Sequence, residues 1–231
     1  MRELIAECST NHGGRLALCQ EFIETFAPWV DTMKFQLTRV AHLRPQDPQY
    51  EWFKRSELTL DQWAEVKRLC GAAKVGFLLT VYNAADIWEL QTLGCGRVKI
   101  GSGEAREAGL AAAVIRAKLK PIVSCGLARP YAIWGYHARF LGCVPRYPAP
   151  LGIAAAKLLT MPELAGWSDH AAGLYEMQAA WAVGAQIIET HVRIPRQARP
   201  SRVFEKTRED LEQFRLFTQE NPERFISRWQ E

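Results

Sequence analysis

The chain has 231 residues, 48% hydrophobic and 23% charged, a balance that suits one soluble (β/α)8 barrel and is short for two domains. A formal net charge of +4 is too small to require nucleic acid as a partner, and no apolar run approaches the ~20 residues of a membrane span. Six cysteines without a C-x-x-C pair read as free thiols, and M-R-E-L-I-A-E-C is too short an apolar run for a signal peptide, so a cytoplasmic protein is expected.

Short β-like runs alternate with amphipathic helical ones. The first strand is expected at 3–8, and Gly13-Gly14 then turns the chain into a helix with Leu16, Leu18, Phe22, Ile23 and Phe26 on its apolar side. The second strand is 32–37. The connection at 38–56, with Pro45, Pro48, Tyr50, Trp52 and Phe53, is longer than loops usually are and reads as a candidate lid. A helix from about Thr59 buries Leu60, Trp63, Val66 and Leu69. Strands follow at 75–80, 97–100, 121–124, 139–144, 164–167 and 186–189. Helical patterns lie between them at 84–93, 105–118, 130–137, from 153 and at 174–183, with a last helix at 208–219. Eight strands alternating with eight helices is the count of a TIM barrel, here one domain over 1–231, with its active site at the C-terminal ends of the strands.

That rule sorts the polar residues. At or just past strand ends stand Glu7, Asn11 and His12; Lys34 and Gln36; Thr80; Lys99, Ser102 and Glu104; Ser124; Arg146 and Tyr147; Ser168 and His170; Glu189 and His191. Lys34 and Lys99 lie in the apolar runs M-K-F and V-K-I, where alternation aims them into the barrel, and a buried ammonium needs an anionic partner. Two kinds of partner are open. One is an internal carboxylate such as Glu7 or Glu104; the other is a phosphate or carboxylate ligand, cradled also by the hydroxyls of Thr80, Ser102, Ser124 and Ser168. His170 and His191, in S-D-H and E-T-H, occupy matched points on strands seven and eight. Parallel neighbours lie roughly 4.8 Å apart. The two imidazoles can therefore converge on one metal ion with Ser168, Asp169 and Glu189 beside them, or be a pair of satisfied loop histidines.

I-A-E-C-S-T-N-H-G-G, M-K-F-Q, Y-E-W-F-K, V-K-I-G-S-G-E, Y-P-A-P, G-W-S-D-H-A-A-G and G-A-Q-I-I-E-T-H stand in this order over about residues 3–193. They resemble the successive signatures of the sialic acid synthase family, which includes N-acetylneuraminate synthase and its legionaminic and pseudaminic relatives. The resemblance implies a TIM barrel that condenses phosphoenolpyruvate with the open-chain aldehyde of an N-acetylhexosamine. It also implies a divalent metal, manganese first, with magnesium or cobalt as alternatives. His170 and His191 match the family's metal ligands. Lys34, Thr80, Lys99, Ser102, Ser124 and Ser168 match phosphoenolpyruvate contacts, and Glu7, Gln36, Glu104, Tyr147 and Glu189 match polar active-site positions.

Departures concentrate on the acceptor side. The family carries a C-terminal antifreeze-like domain that supplies an arginine to the acceptor in the partner subunit, whereas this sequence ends after one helix. A homodimer without that domain exchange stays open. Val144-Pro145-Arg146-Tyr147-Pro148 stands where the family has T-S/N-x-Y-P, and P-R-Q-A-R-P-S-R-V-F-E-K replaces G-P-D-H-x-x-S after the eighth strand. Arg146, Arg199 and Arg202 are therefore the expected acceptor contacts, favouring an anionic acceptor such as a sugar phosphate, with a solvated basic loop or an intermolecular contact as the alternative. Two other functions stay open: the same chemistry on a non-sialic aldehyde, or an inactive barrel serving as a binding or scaffold subunit.

Overall fold

In the computed structural model, eight parallel strands pair in chain order and the last closes on the first. Residues 2–127 and 131–219 are described, without the side chain of Tyr136. The strands are β1 (Glu3–Glu7), β2 (Thr32–Gln36), β3 (Gly76–Thr80), β4 (Arg97–Ile100), β5 (Lys120–Ser124), β6 (Arg139–Cys143), β7 (Leu164–Asp169) and β8 (Ile187–His191). The helices are α1 (Leu16–Phe26), α2 (Tyr50–Ser56), α3 (Leu60–Ala72), α4 (Ile87–Thr92), α5 (Ala108–Arg116), α6 (Tyr131–Trp134), α7 (Ala154–Thr160), α8 (Tyr175–Ala182) and α9 (Arg208–Gln219).

The TIM-barrel expectation holds, with local differences. The connection at 38–56 contains a 3-10 turn, Val40–His42, and α2, so nine α-helices are present among the described residues where eight were expected. The fifth helix starts at Ala108 and not at 105, because residues 102–106 stay in turns. Ser102 Oγ holds that segment by accepting from the backbone N–H groups of Gly126 and Leu127. Pro130, expected to lead the sixth helix, lies outside the described residues. A capping box of Thr59 and Gln62 starts α3, as its polar-to-apolar boundary suggests.

The core has two layers. Outside the sheet, Phe22, Phe26, Phe35, Trp63 and their neighbours pack between strands and helices. Inside it, Ile5, Leu78, Ile122, Leu141 and Ile187 form a separate apolar plug. Successive strand side chains alternate between faces. The next inward residues above the plug are therefore Glu7, Thr80, Ser124, Cys143 and Glu189, two positions further along the same strands. The last strand but one obeys a steric rule of its own: a Cβ on Gly166 would stand 1.9 Å from the Ile187 carbonyl oxygen, so glycine alone lets β7 and β8 approach and brings Ser168 beside Glu189. Among the described residues no helix is long and apolar enough to cross a membrane, and all six cysteines are free.

Candidate active site

The strand ends enclose a cavity of about 270 Å3. Glu7, Lys34, Gln36, Thr80, Lys99, Ser102, Ser124, Tyr147, Ser168, His170, Glu189 and His191, all singled out in the sequence, line it together.

The two lysines differ in their surroundings. Lys34 Nζ lies 2.9 Å from Glu7 and 3.4 Å from Glu189, and it donates to Thr80 Oγ1 at 3.1 Å. Burial opposes its charge, but Glu189 and Glu7 outweigh burial and raise its pKa. The internal-carboxylate alternative thus holds for Lys34, with Glu7 as predicted but with Glu189 in place of Glu104. Lys99 Nζ donates to Ser124 Oγ at 2.7 Å and to the Ile100 carbonyl at 2.9 Å, while Glu189 stays 3.8 Å away. Here burial wins, and the pKa is lowered. The carboxylates also part. Burial raises the pKa of Glu7, whereas Lys34 and Lys99 overcome burial at Glu189 and draw it down to about 2. Gln36 donates to Glu7 at 3.0 Å and Ser168 to Glu189 at 2.8 Å, so each carboxylate is also held by a neutral side chain.

His170 and His191 face each other with ring centroids 5.6 Å apart. His170 Nδ1 lies 2.7 Å from the Val144 carbonyl, which acts as acceptor; Nδ1 therefore carries the proton and Nε2 keeps its lone pair. Tyr147 donates its hydroxyl to that Nε2 at 3.1 Å and stacks on the ring at 4.1 Å. Burial lowers the pKa of His170 to about 4 and that of His191 well below the usual value. Two neutral imidazoles suit a divalent ion, and the His170 Nε2 lone pair, which here accepts from Tyr147, is the one such an ion would take. Among the described residues no set of three His, Cys, Asp or Glu side chains converges for one, so such an ion would keep open positions.

The NeuB family profile matches residues 24–214. The chain belongs to the NeuB family. It is 27% identical over 221 residues to an N,N'-diacetyllegionaminic acid synthase of Campylobacter jejuni, covering 81% of this chain and 66% of that one. It is 24% identical over 229 residues to an N-acetylneuraminate-9-phosphate synthase of Drosophila melanogaster, covering 86% and 62%. The chain thus spans somewhat under two thirds of the length of these curated relatives. The crystal structure of a sialic acid synthetase from Leptospira borgpetersenii in complex with citrate superposes with a TM-score of 0.86 at 23% identity, covering 97% of this chain and 85% of that one, a likeness of fold.

Several expected site residues of this NeuB-family barrel lie elsewhere. Asp169 faces outward, one position after the inward Ser168, and forms a buried ion pair with Lys206 at 2.9 Å. Asn11 donates to Glu205, and His12 is sealed between Phe35 and Trp63. Glu104 lines a neighbouring chamber. Arg146 is exposed and does not line the cavity. Arg199 stacks on Trp52, its guanidinium 4.2 Å from the ring centroid, because the loop after β8 folds over α2. Arg202 lies over Phe204 at 5.8 Å, and Phe204 in turn packs on Tyr147 and His191. The sequence pattern does not single out Tyr82 and Cys143, which wall the cavity, or Phe204, which packs on Tyr147 and His191. Strand alternation carries a signal for the first two, since each lies two residues beyond an inward neighbour, Thr80 or Leu141.

Proposed function

We propose that this chain condenses phosphoenolpyruvate with the open-chain aldehyde of an N-acetylhexosamine-type sugar, giving a sialic-acid-like 2-keto acid and inorganic phosphate. The names of its relatives support this reaction class. The observation that carries the reading is Lys99, a buried ammonium with two neutral oxygens at short range and no carboxylate within 3.5 Å. An ammonium in that setting is completed by a small anion, and Ser124, Ser102 and Thr80 offer hydroxyls around the same volume.

In this reading Lys99 holds one anionic end of phosphoenolpyruvate, and Lys34, already neutralised by Glu7 and Glu189, fixes those carboxylates beside it. Its C3 attacks the aldehyde carbon and the aldehyde oxygen takes up a proton. Glu189, held ionised, faces the positive charge that develops at C2. Glu7, whose proton is held more tightly than in an ordinary carboxylic acid, exchanges a proton as water adds at C2 and phosphate leaves. Tyr147 and Gln36 orient the acceptor at the rim. A divalent ion held by His170 and His191, manganese by preference, would polarise the aldehyde oxygen. Holding two reactants in register removes up to about 7–11 kcal/mol of barrier in favourable cases.

The test is phosphate release from phosphoenolpyruvate with Mn2+ across N-acetylhexosamines, their 6-phosphates and smaller aldehydes. Aldehyde-dependent release, abolished reversibly by chelation, is expected. A protein whose melting temperature does not respond to phosphoenolpyruvate and which releases no phosphate with any aldehyde refutes the proposal.

A further inference from the structure

Where β7 and β8 end, one residue outside the cavity touches the chain beside both histidines. Lys206 lies in the loop after β8 and forms an isolated parallel bridge with Val192. Its N–H donates to the His191 carbonyl at 2.8 Å, and its carbonyl accepts from the Arg193 N–H at 3.0 Å. Its side chain reaches across to β7. There the ammonium lies 2.9 Å from Asp169 Oδ2 and donates to the Ala171 carbonyl at 2.6 Å, so it holds the residues immediately before and after His170. It also donates to the Phe204 carbonyl at 3.2 Å, tying down the residue whose ring packs on His191 and Tyr147. Asp169 closes the clamp with its other oxygen, which accepts from the Ala171 N–H at 3.0 Å.

Strand pairing does not reach this far. The β7–β8 ladder runs to Asp169 opposite Thr190, one residue short of His170 and His191. On their outer sides the two histidines belong to different neighbours: the His170 carbonyl accepts from Ala149 of the loop after β6 at 2.8 Å, and His191 stands opposite Glu7 of β1. Lys206 links them across the seam. Its side chain and that of Asp169 are each 1% exposed, and a hydrogen-bonded pair sealed from water has one favourable geometry, because displacement leaves a buried charge without its partner. The ammonium's three donors are spent on one carboxylate and two carbonyls.

We propose that the Asp169–Lys206 pair is a positioning element that fixes the spacing of His170 and His191, so that the two imidazoles meet one divalent ion. The inference rests on the histidine-held ion of the reading above. Neither residue lines the cavity, and both act through the backbone they hold. A pair kept for stability alone has no reason to place its contacts on the residues flanking both imidazoles. Where two imidazoles hold an ion, their relative placement governs its affinity, and outer partners of metal-binding histidines typically contribute about 10–100-fold.

Lys206→Met alone strands a buried carboxylate, so the test uses the double variant Asp169→Asn with Lys206→Met, which removes both charges at nearly constant volume. Mn2+ is titrated calorimetrically into the wild-type and variant proteins without phosphoenolpyruvate, and both are crystallised without metal. The variant should fold and bind Mn2+ about 10–100-fold more weakly. Its imidazole centroids, 5.6 Å apart in the native chain, should be displaced by more than the ~0.5 Å within which a site must be held. The melting shift caused by phosphoenolpyruvate should persist, because Lys99 stands on β4, away from the clamp. A purely structural pair predicts a lower melting temperature with native Mn2+ affinity and native ring spacing in the folded protein. When the wild type binds Mn2+, either native affinity or native spacing in the variant overturns the proposal. A wild type that binds no Mn2+ sinks the metal reading, and the ring spacing then decides the positioning role by itself. If the double variant does not fold, the same measurements on Asp169→Asn alone, which keeps the shape of the side chain, decide by the same criteria.

Discussion

The two sides of the anion cavity use the same residue type for different ends. On the β1–β2–β8 side, strand register sets Glu7 directly opposite Lys34 and Glu189 closes from β8, so that ammonium is neutralised within the fold. On the β4–β5 side, Lys99 stands opposite Thr80 and Ile122, and its nearest carboxylate is 3.8 Å away. Equal burial therefore does not mean equal role. A lysine in contact with its counter-ions is part of the scaffold, and a lysine whose hydrogen bonds go only to hydroxyl and carbonyl oxygens is prepared for a ligand.

Paired methionine substitutions would break this comparison most directly. Lys99→Met removes a cation without stranding a close carboxylate, so the protein should stay folded, lose the melting-temperature response to phosphoenolpyruvate, and lose activity by roughly 10^2–10^3 or more. Lys34→Met leaves Glu7 and Glu189 facing each other in a buried site, and should cost about 3–5 kcal/mol in urea unfolding. The reverse outcome, a stable Lys34→Met and a largely unfolded Lys99→Met, would exchange the two roles.

Much of the cavity was legible because strands impose a two-residue rhythm. Ile5 and Glu7, Leu78 and Thr80, Ile122 and Ser124, Ile187 and Glu189 are successive inward residues, one in the apolar plug and one above it. The same rhythm separates neighbours at strand ends: Asp169, expected beside the histidines with Ser168, is adjacent to it in β7, faces the opposite side and serves the outer layer through Lys206. Which carboxylate meets Lys34 was not legible, since pairing depends on register between strands and not on the composition of either. Loops were least legible. Trp52 under Arg199 joins segments some 150 residues apart, a contact decided by how two connections fold over the rim and not by any local pattern.

If a missing counter-ion is what makes buried charge costly, the effect should also appear outside the cavity. His12 sharpens the point. It is fully buried between Phe35 and Trp63, its Nδ1 accepts from the Gly14 N–H at 3.2 Å, and burial alone lowers its pKa to about 4. Between pH 6.5 and 4 the unfolded chain therefore binds a proton that the native state refuses, and stability falls as pH falls through that window. From pH 6.5 to 5 the loss assigned to this residue is about 2 kcal/mol. His12→Leu should remove that portion of the slope in urea titrations at the two pH values. An identical slope in both proteins would show that His12 takes up its proton in the folded state.

The smallest effect is expected where a cation has an aromatic partner and remains near water. Arg199 lies 4.2 Å above Trp52, with its Nη2 3.4 Å from Gln49, and the Trp52 indole donates to Thr10 Oγ1 at 2.9 Å. Arg55 approaches the same indole at 5.2 Å. The contact joins the loop after β8 to α2 over the end of β1, so it fastens the rim, and Arg199 does not line the cavity. Partly exposed cation–π contacts contribute about 0.5–1 kcal/mol. Arg199→Ala should lower stability by about that amount, and Arg199→Lys should recover part of it. Neither should change the acceptor's KM, because no acceptor atom reaches a guanidinium that is already stacked on Trp52. A tenfold rise in KM for a phosphorylated acceptor in Arg199→Ala, without loss of stability, would return this arginine to the substrate side.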